Sequence, residues 1–294
     1  MKPLGPIPAG YAAIDGELAI AGCKASDLVG AAGSTPLFVY SRQLLQRRVA
    51  ELRAAMPERL SIHYAVKANP YGPVIQAMSE LVDGFDIASG GELDIVRAAG
   101  IDPALISFAG PGKRADELAT AIAAGVTINL ESEGEAVRAL EAAARLGIPP
   151  RLAIRVNPDF DLKGSGMKMG GGAKQFGVDA ERVPELARQV IASGAEWRGF
   201  HIFAGSQALD AAAIIEAQSQ TLALAARLAE ASGTPLPHCN LGGGLGIPYF
   251  PGDEPVDIAA IGAALGGAFT RLPAVLAETR FCIELGRYLV GEAG

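Results

Sequence analysis

The sequence predicts an α/β fold of the eight-stranded barrel type, the (β/α)8 TIM barrel, with parallel strands in a closed ring and helices outside. Three observations lead there. Short β-branched or apolar runs alternate with Ala/Leu/Glu/Arg stretches of helical spacing, the alternation counts to eight, and each strand has one greasy and one polar parity. Strands are expected at 61–67, 84–88, 104–109, 126–131, 151–157, 197–204, 238–242 and 280–285. Helices are expected between them at 70–82, 91–99, 115–124, 133–146, 180–193, 209–231 and 257–276. Gly100, Gly125, Gly147, Gly194 and Gly233 stand where helices need a left-handed cap. Ahead of the barrel, residues 1–35 are Gly/Ala-rich with a short strand expected at Glu17–Ile20. A further strand is expected at 37–40, before a helix at 42–56.

Parity gives the strands a direction, because successive side chains point to opposite faces. One parity is apolar throughout: Ile62 and Tyr64, Phe85 and Ile87, Ile128 and Leu130, Ile154 and Val156, Phe200 and Ile202, Phe281 and Ile283. These should pack under the helices. The other carries His63 and Lys67, Asp86, Asn129 and Glu131, Arg155 and Asn157, His201 and Phe203, Cys282 and Glu284. Ionisable groups therefore point into the barrel, mostly near the carboxyl ends of the strands, and a packed interior rarely buries such groups unless they are paired or functional.

The 294 residues would suit two ordinary domains or one barrel, so length does not choose. Composition excludes more. With 25 Lys+Arg against 32 Asp+Glu the net charge is −7, which offers nucleic acid no broad basic surface. The longest apolar and glycine run, 257–271, is shorter than the roughly 20 residues a bilayer requires. MKPLGPIPAGY lacks the apolar core of a signal peptide, so a cytoplasmic protein is expected. Cys23, Cys239 and Cys282 form neither a disulfide framework nor, with His63, His201 and His238, a zinc site; no metal is expected, and each cysteine reads as a small buried hydrophobe.

Single motifs remain ambiguous. Lys67, ending strand one in HYAVKANPYG, is either a salt-bridged structural lysine or a Schiff-base lysine at the barrel rim. Gly242, Gly243 and Gly244 end strand seven with bare backbone, a tight turn or a phosphate cradle. Neither GGGLGI nor FAGPGKRA completes a dinucleotide or nucleotide motif, and SxxK at 165–168 lies in a glycine-rich loop without companion motifs. Glu284 and Arg287 close strand eight in ELGRY. Glu284 is either the partner of an inner lysine or, with a pyridine ring between them, the group that keeps the ring nitrogen protonated. Asp86 and Arg155 are read as possible halves of one buried pair.

Taken together, AVKANPYG, GFDIASGGEL, IRVNP, KQFGVD, GFHIFAGSQ, NLGGGLG and ELGRY stand in the order and spacing of a family. The chain resembles, over nearly its whole length, the pyridoxal-phosphate decarboxylases with an alanine-racemase-like barrel, which include diaminopimelate and ornithine decarboxylases. KGSGMKMGGGAKQFG with HIFAGSQ is most similar to the diaminopimelate-decarboxylase-like branch associated with exosortase and exopolysaccharide gene systems. By this resemblance Lys67 would hold pyridoxal 5'-phosphate covalently and Glu284 would contact the pyridine nitrogen. Gly242, Gly243, Gly244, Ser206 and Arg287 would surround the phosphate, with Asp86, Arg155 and His201 in the same pocket.

Two positions depart from the family pattern. GLHxHIGSQ becomes GFHIFAGSQ, so the residue expected to stack on the cofactor ring is Phe203, which loses a histidine's hydrogen bond and charge. EPGR becomes ELGR at Leu285, read as an outward packing change. The resemblance further implies that residues 1–35 would join a β-domain and that 36–294 form the cofactor-binding barrel. The sequence stops after GRYLVGEAG, before an eighth helix, which suggests a piece of a longer protein. The family's C-terminal β-domain, which by the resemblance supplies a cysteine and acidic residues across a head-to-tail homodimer, is expected to lie outside this sequence, and neither Cys239 nor Cys282 matches that cysteine. The expected activity is α-decarboxylation of a basic or dibasic amino acid. The alternatives are a racemase, against which Glu284 argues because those enzymes place arginine at the pyridine nitrogen, and a catalytically silent cofactor-binding or regulatory barrel.

Overall fold

Eight parallel strands close a ring in the computed structural model, which describes residues 6–162, 164, 166–168 and 175–294. They are β1 Leu60–Ala65, β2 Gly84–Ile87, β3 Ile106–Phe108, β4 Thr127–Leu130, β5 Arg151–Asn157, β6 Glu196–Ile202, β7 His238–Asn240 and β8 Arg280–Leu285. Each pairs with the next, and β8 returns to β1 with Glu284 opposite His63. The barrel expected from the alternation is therefore present.

One helix fills each crossover: α1 Gly72–Ser79, α2 Gly90–Ala98, α3 Ala115–Ala124, α4 Glu133–Leu146, α5 Val183–Ala192, α6 Ala211–Ser232 and α7 Ile258–Phe269. Local chemistry sets their ends. Ser89, Ser132, Asp210 and Asp257 each accept a backbone N–H of the first turn. At the far ends the five glycines read as caps all have φ between +67° and +82°, the left-handed conformation that costs glycine least.

The strand parity is as expected. Tyr64, Phe85, Phe108, Phe200 and Phe281 face outward and are fully buried, in one apolar layer with helix residues such as Leu93, Leu118 and Leu228. Each such side chain contributes roughly 1.5–3 kcal/mol of transfer free energy. Asp86, Asn129, Arg155, His201, Asn240 and Glu284 are buried on the inward parity. The greasy face holds the barrel together, and the polar face is left for chemistry.

Four expectations need correction. Residues 37–40 form no strand, and Phe38 and Tyr40 are exposed; β-propensity is expressed only against a pairing neighbour. Strand one stops at Ala65, and Lys67 sits on a 3-10 turn, Val66–Ala68, with Asn69 held extended by the following Pro70. Cys23 is exposed rather than buried, because its strand, Cys23–Lys24, closes a small antiparallel sheet with Tyr11–Ile14 and Glu17–Ile20 outside the barrel. After β8 comes a short helix, Arg287–Val290, where the sequence suggested none.

The irregular segment after β5 lies partly outside the described residues, including Ser165 of the SxxK match. Within what is described, Met167–Lys168 pairs antiparallel with Gly205–Ser206, which ties this segment to the loop after β6. The helix Arg42–Ala55 lies close against α7, since a Cβ on Gly262 would meet the Ala55 carbonyl oxygen at 1.8 Å.

Candidate active site

A cavity of about 570 Å3 opens at the carboxyl ends of the strands, the end at which barrels place their chemistry. Lys67, Phe203, Ser206, Gly244, Glu284 and Arg287 line it. The sequence picked all six. Lys67 is exposed on its turn, whereas Glu284 is buried on β8. Both face the same cavity and no ion pair joins them, although the lysine's charge is felt by the carboxylate.

Glu284 is held in place from two sides. Asn240 Nδ2 on β7 donates to its Oε2 at 3.1 Å. His201 Nε2 on β6 lies 3.3 Å from the same oxygen, a close polar contact rather than a hydrogen bond. Burial alone would raise the carboxyl's pKa; interaction with His201, then the charges of Lys67 and Arg155, outweigh it and hold Glu284 well below the usual carboxylate range. A buried anion at the cavity wall follows from those interactions.

The glycine run does two jobs. Gly244 presents bare backbone to the cavity at φ +108°, and a Cβ there would meet the Gly205 carbonyl oxygen at 2.7 Å. Gly242 and Gly243 are not on the cavity wall; they brace it. The Gly242 N–H donates to Asn240 Oδ1 at 2.8 Å, its carbonyl accepts from the Glu284 N–H at 3.0 Å, and a Cβ on Gly243 would lie 2.0 Å from the Glu284 carbonyl oxygen. The run thus locks the end of β7 onto the backbone that carries Glu284.

Asp86, Arg155 and His201 lie behind this wall. Asp86 and Arg155 are not partners, so the possibility of one buried pair does not hold. Arg155 Nη1 bonds Glu131 Oε1 at 2.9 Å, and Asp86 Oδ2 lies 3.3 Å from His63 Nδ1, with neither Asp86 oxygen hydrogen-bonded. The reason is ring order: Glu131 directly follows β4, next to β5, while Asp86 sits on β2 beside β1. Glu131 also accepts the N–H of Gly110 at 2.6 Å and of Gly177 at 2.8 Å, so one carboxylate gathers two loops around the arginine. Its burial disfavours ionisation, but Arg155 and Lys113 overcome that and lower its pKa. The Arg155 guanidinium then lies 5.9 Å from the centre of the Phe203 ring and 4.9 Å from that of Phe176.

Two contributors were missed, Asn240 and Glu131. Each was visible as an inward polar residue at the end of a strand adjacent to a chosen site residue. Leu285, read as a packing change, is buried and also lines the cavity.

Comparison with known proteins agrees with this geometry. The family model "Pyridoxal-dependent decarboxylase, pyridoxal binding domain" matches residues 42–291. The diaminopimelate decarboxylase of Methanothermobacter thermautotrophicus is 35% identical over 287 residues, covering 95% of this chain and 65% of that protein. That of Aquifex aeolicus is 38% identical over 288 residues, covering 95% and 66%. Among solved structures, the diaminopimelate decarboxylase of M. jannaschii in complex with L-lysine superposes with a TM-score of 0.84 at 27% identity, covering 97% of this chain and 68% of that one. The chain thus spans about two thirds of the length of the relatives it matches. With the family model covering the whole barrel and the lysine, carboxylate and glycine turn gathered at one cavity, the chain belongs to the pyridoxal-dependent decarboxylases, of which it carries the pyridoxal-binding domain.

Proposed function

We propose that this chain supports pyridoxal-phosphate-dependent removal of the α-carboxyl group from a basic or dibasic amino acid. The observation that carries the reading is the cavity shared by the Lys67 amine and the Glu284 carboxylate without an ion pair between them. The relatives named diaminopimelate decarboxylases, and the neighbour solved with L-lysine, support a diamino acid as substrate class.

The residues present fit the cofactor. A lysine amine without an ion pair among the described residues, an ionised carboxylate, an aromatic face and an anion corner of serine hydroxyl, bare glycine backbone and arginine all line one cavity. When bound, pyridoxal phosphate supplies an aldehyde for amine exchange and a ring that accepts electrons from the carbon losing carbon dioxide. Lys67 would hold the cofactor and yield to the substrate's amine. Glu284, kept ionised by its surroundings, would hold a proton at the ring nitrogen. Ser206, Gly244 and Arg287 would anchor the phosphate, with Arg287 itself steadied by the Tyr249 hydroxyl at 3.2 Å. Phe203 would cover one face of the ring. Leu245, Leu285 and Val290 make part of the wall apolar, which lowers the local dielectric and strengthens charge interactions beside it.

Residues 1–35 are proposed to join a β-domain, a reading supported by their antiparallel sheet. A cytoplasmic homodimer is proposed for the intact enzyme, supported by the family resemblance. Among the described residues no helix is long and apolar enough to cross a membrane.

The test is to measure carbon dioxide release and change in optical rotation from diaminopimelate, lysine, ornithine and arginine. Decarboxylation of one of them, lost in Lys67→Ala and reduced about 100-fold or more in Glu284→Gln, is expected. Racemisation without gas release would replace this reading by the racemase, and cofactor binding without turnover would replace it by the silent barrel.

A further inference from the structure

The opposite mouth of the barrel, where the strands begin, holds a second cavity of about 340 Å3. Its wall is basic. Arg151 opens β5, Arg198 lies in β6, His238 opens β7 and Arg280 opens β8, and all four line this cavity. The inward parity that delivers Arg155 and Glu284 to the upper end delivers Arg151 and Arg280 here. Arg198 arrives by a different route. Trp197 and Gly199 pair with the consecutive residues Leu152 and Ala153, so Arg198 is the extra residue of a β-bulge. Bulges re-aim a side chain, and this one puts an arginine on the cavity wall. Gly199 makes it possible, at φ +92° with a would-be Cβ only 1.9 Å from the His238 carbonyl oxygen.

The positive charge here exceeds its counterions. Glu196 is shared between Arg198 Nη1 at 2.9 Å and Arg151 Nε at 3.3 Å, while Arg151 Nη1 bonds the Ala104 and Gly125 carbonyls. Asp83, also on the wall, is engaged by Arg53 at 3.1 Å and by the Ile62 N–H at 2.7 Å. Arg198 Nε is buried with no hydrogen-bond partner, and Arg280 makes no ion pair or side-chain hydrogen bond among the described residues. Three guanidinium groups thus face one available carboxylate. The field is felt by His238: burial first, then Arg198, Arg280 and Arg151, push it down to about 4, so it is a neutral hydrogen-bonding group at neutral pH. Ser61 and Thr127 add hydroxyls to the same wall.

We infer that this mouth binds a small multivalent oxyanion, of the phosphate or polycarboxylate type, at a site separate from the cofactor's. Guanidinium forks match oxyanions in shape and charge, and a half-enclosed cavity strengthens the attraction over that in water. Arg280 and Glu284 lie four residues apart on one strand, about 13 Å at roughly 3.3 Å per residue, so the anion sits a barrel's depth from the decarboxylase site.

The experiment is calorimetric titration of inorganic phosphate into cofactor-loaded protein, in which the cofactor already fills the other anion corner. One site is expected, weakened at least about tenfold in Arg280→Ala and abolished in Arg198→Gln/Arg280→Ala, with the far-ultraviolet circular dichroism of Arg280→Ala unchanged because that side chain is exposed. No binding heat up to about 10 mM phosphate, undiminished binding in Arg280→Ala, or binding seen only in cofactor-free protein would each overturn the inference. If the double variant does not fold, Arg280→Ala decides alone.

Discussion

Asn240 clamps the glycine turn to Glu284: its amide nitrogen donates to the carboxylate at 3.1 Å while its amide oxygen accepts the Gly242 N–H at 2.8 Å. One side chain on β7 therefore sets both the position of the anion on β8 and the start of the turn that leads to Gly244. Asn240→Leu leaves a buried carboxylate oxygen and a buried N–H without these partners, at about 1–3 kcal/mol each. Weaker cofactor retention is expected alongside a lower denaturation midpoint, and Asn240→Asp is expected to be worse for the cofactor because it sets a second carboxylate against Glu284. Equilibrium dialysis of the cofactor and urea unfolding check both.

Gly243→Ala should damage the site more than its size suggests. The new Cβ would lie 2.0 Å from the Glu284 carbonyl oxygen, a backbone atom that cannot swing aside. Displacement of β8, loss of cofactor binding and a lower melting temperature are expected. Gly72→Ala is the control, since nothing lies within 4 Å of its Cβ position. Equal effects in the two variants would refute the argument.

Glu131→Gln removes a buried charge that holds Arg155 and two loop amides. Breaking a buried pair from one side costs about 3–5 kcal/mol, and chemical denaturation should show a loss of that order. A loss below about 1 kcal/mol would mean that the glutamine amide replaces these bonds unaided.

Acid should weaken the fold in two successive windows. His238 is held at about 4 in the folded chain against an ordinary 6.5. The unfolded chain thus takes up a proton the native state refuses, and stability falls as pH drops from about 6.5 towards 4. Glu284 is depressed from 4.5, so its contribution is fully present above about pH 4.5 and disappears as pH falls through its folded value. Urea midpoints measured from pH 7 to 3 should lose their upper slope in His238→Gln and their lower slope in Glu284→Gln.

The barrel was legible because alternation along a strand is a local property: Tyr64 and Phe85 read as outward, and His201 and Glu284 as inward, without knowledge of any neighbour. What depended on neighbours was less legible. Charge alone leaves Asp86 as a possible partner of Arg155, whereas the ring order places Glu131 beside it. Residues 37–40 have strand composition but no strand to pair with. At the basic mouth Arg151 and Arg280 follow the inward parity, but Arg198 was hidden because it reaches the mouth through a bulge, which breaks that parity. Gly199 was the available signal, a glycine inside an otherwise β-rich run.

The most direct measurement is borohydride reduction of the cofactor-loaded protein, followed by peptide mapping. The account predicts a single pyridoxyl label on Lys67, with none incorporated in Lys67→Ala. A label on Lys113, Lys24 or any other amine, or no label at all from a protein that retains the cofactor, would contradict it.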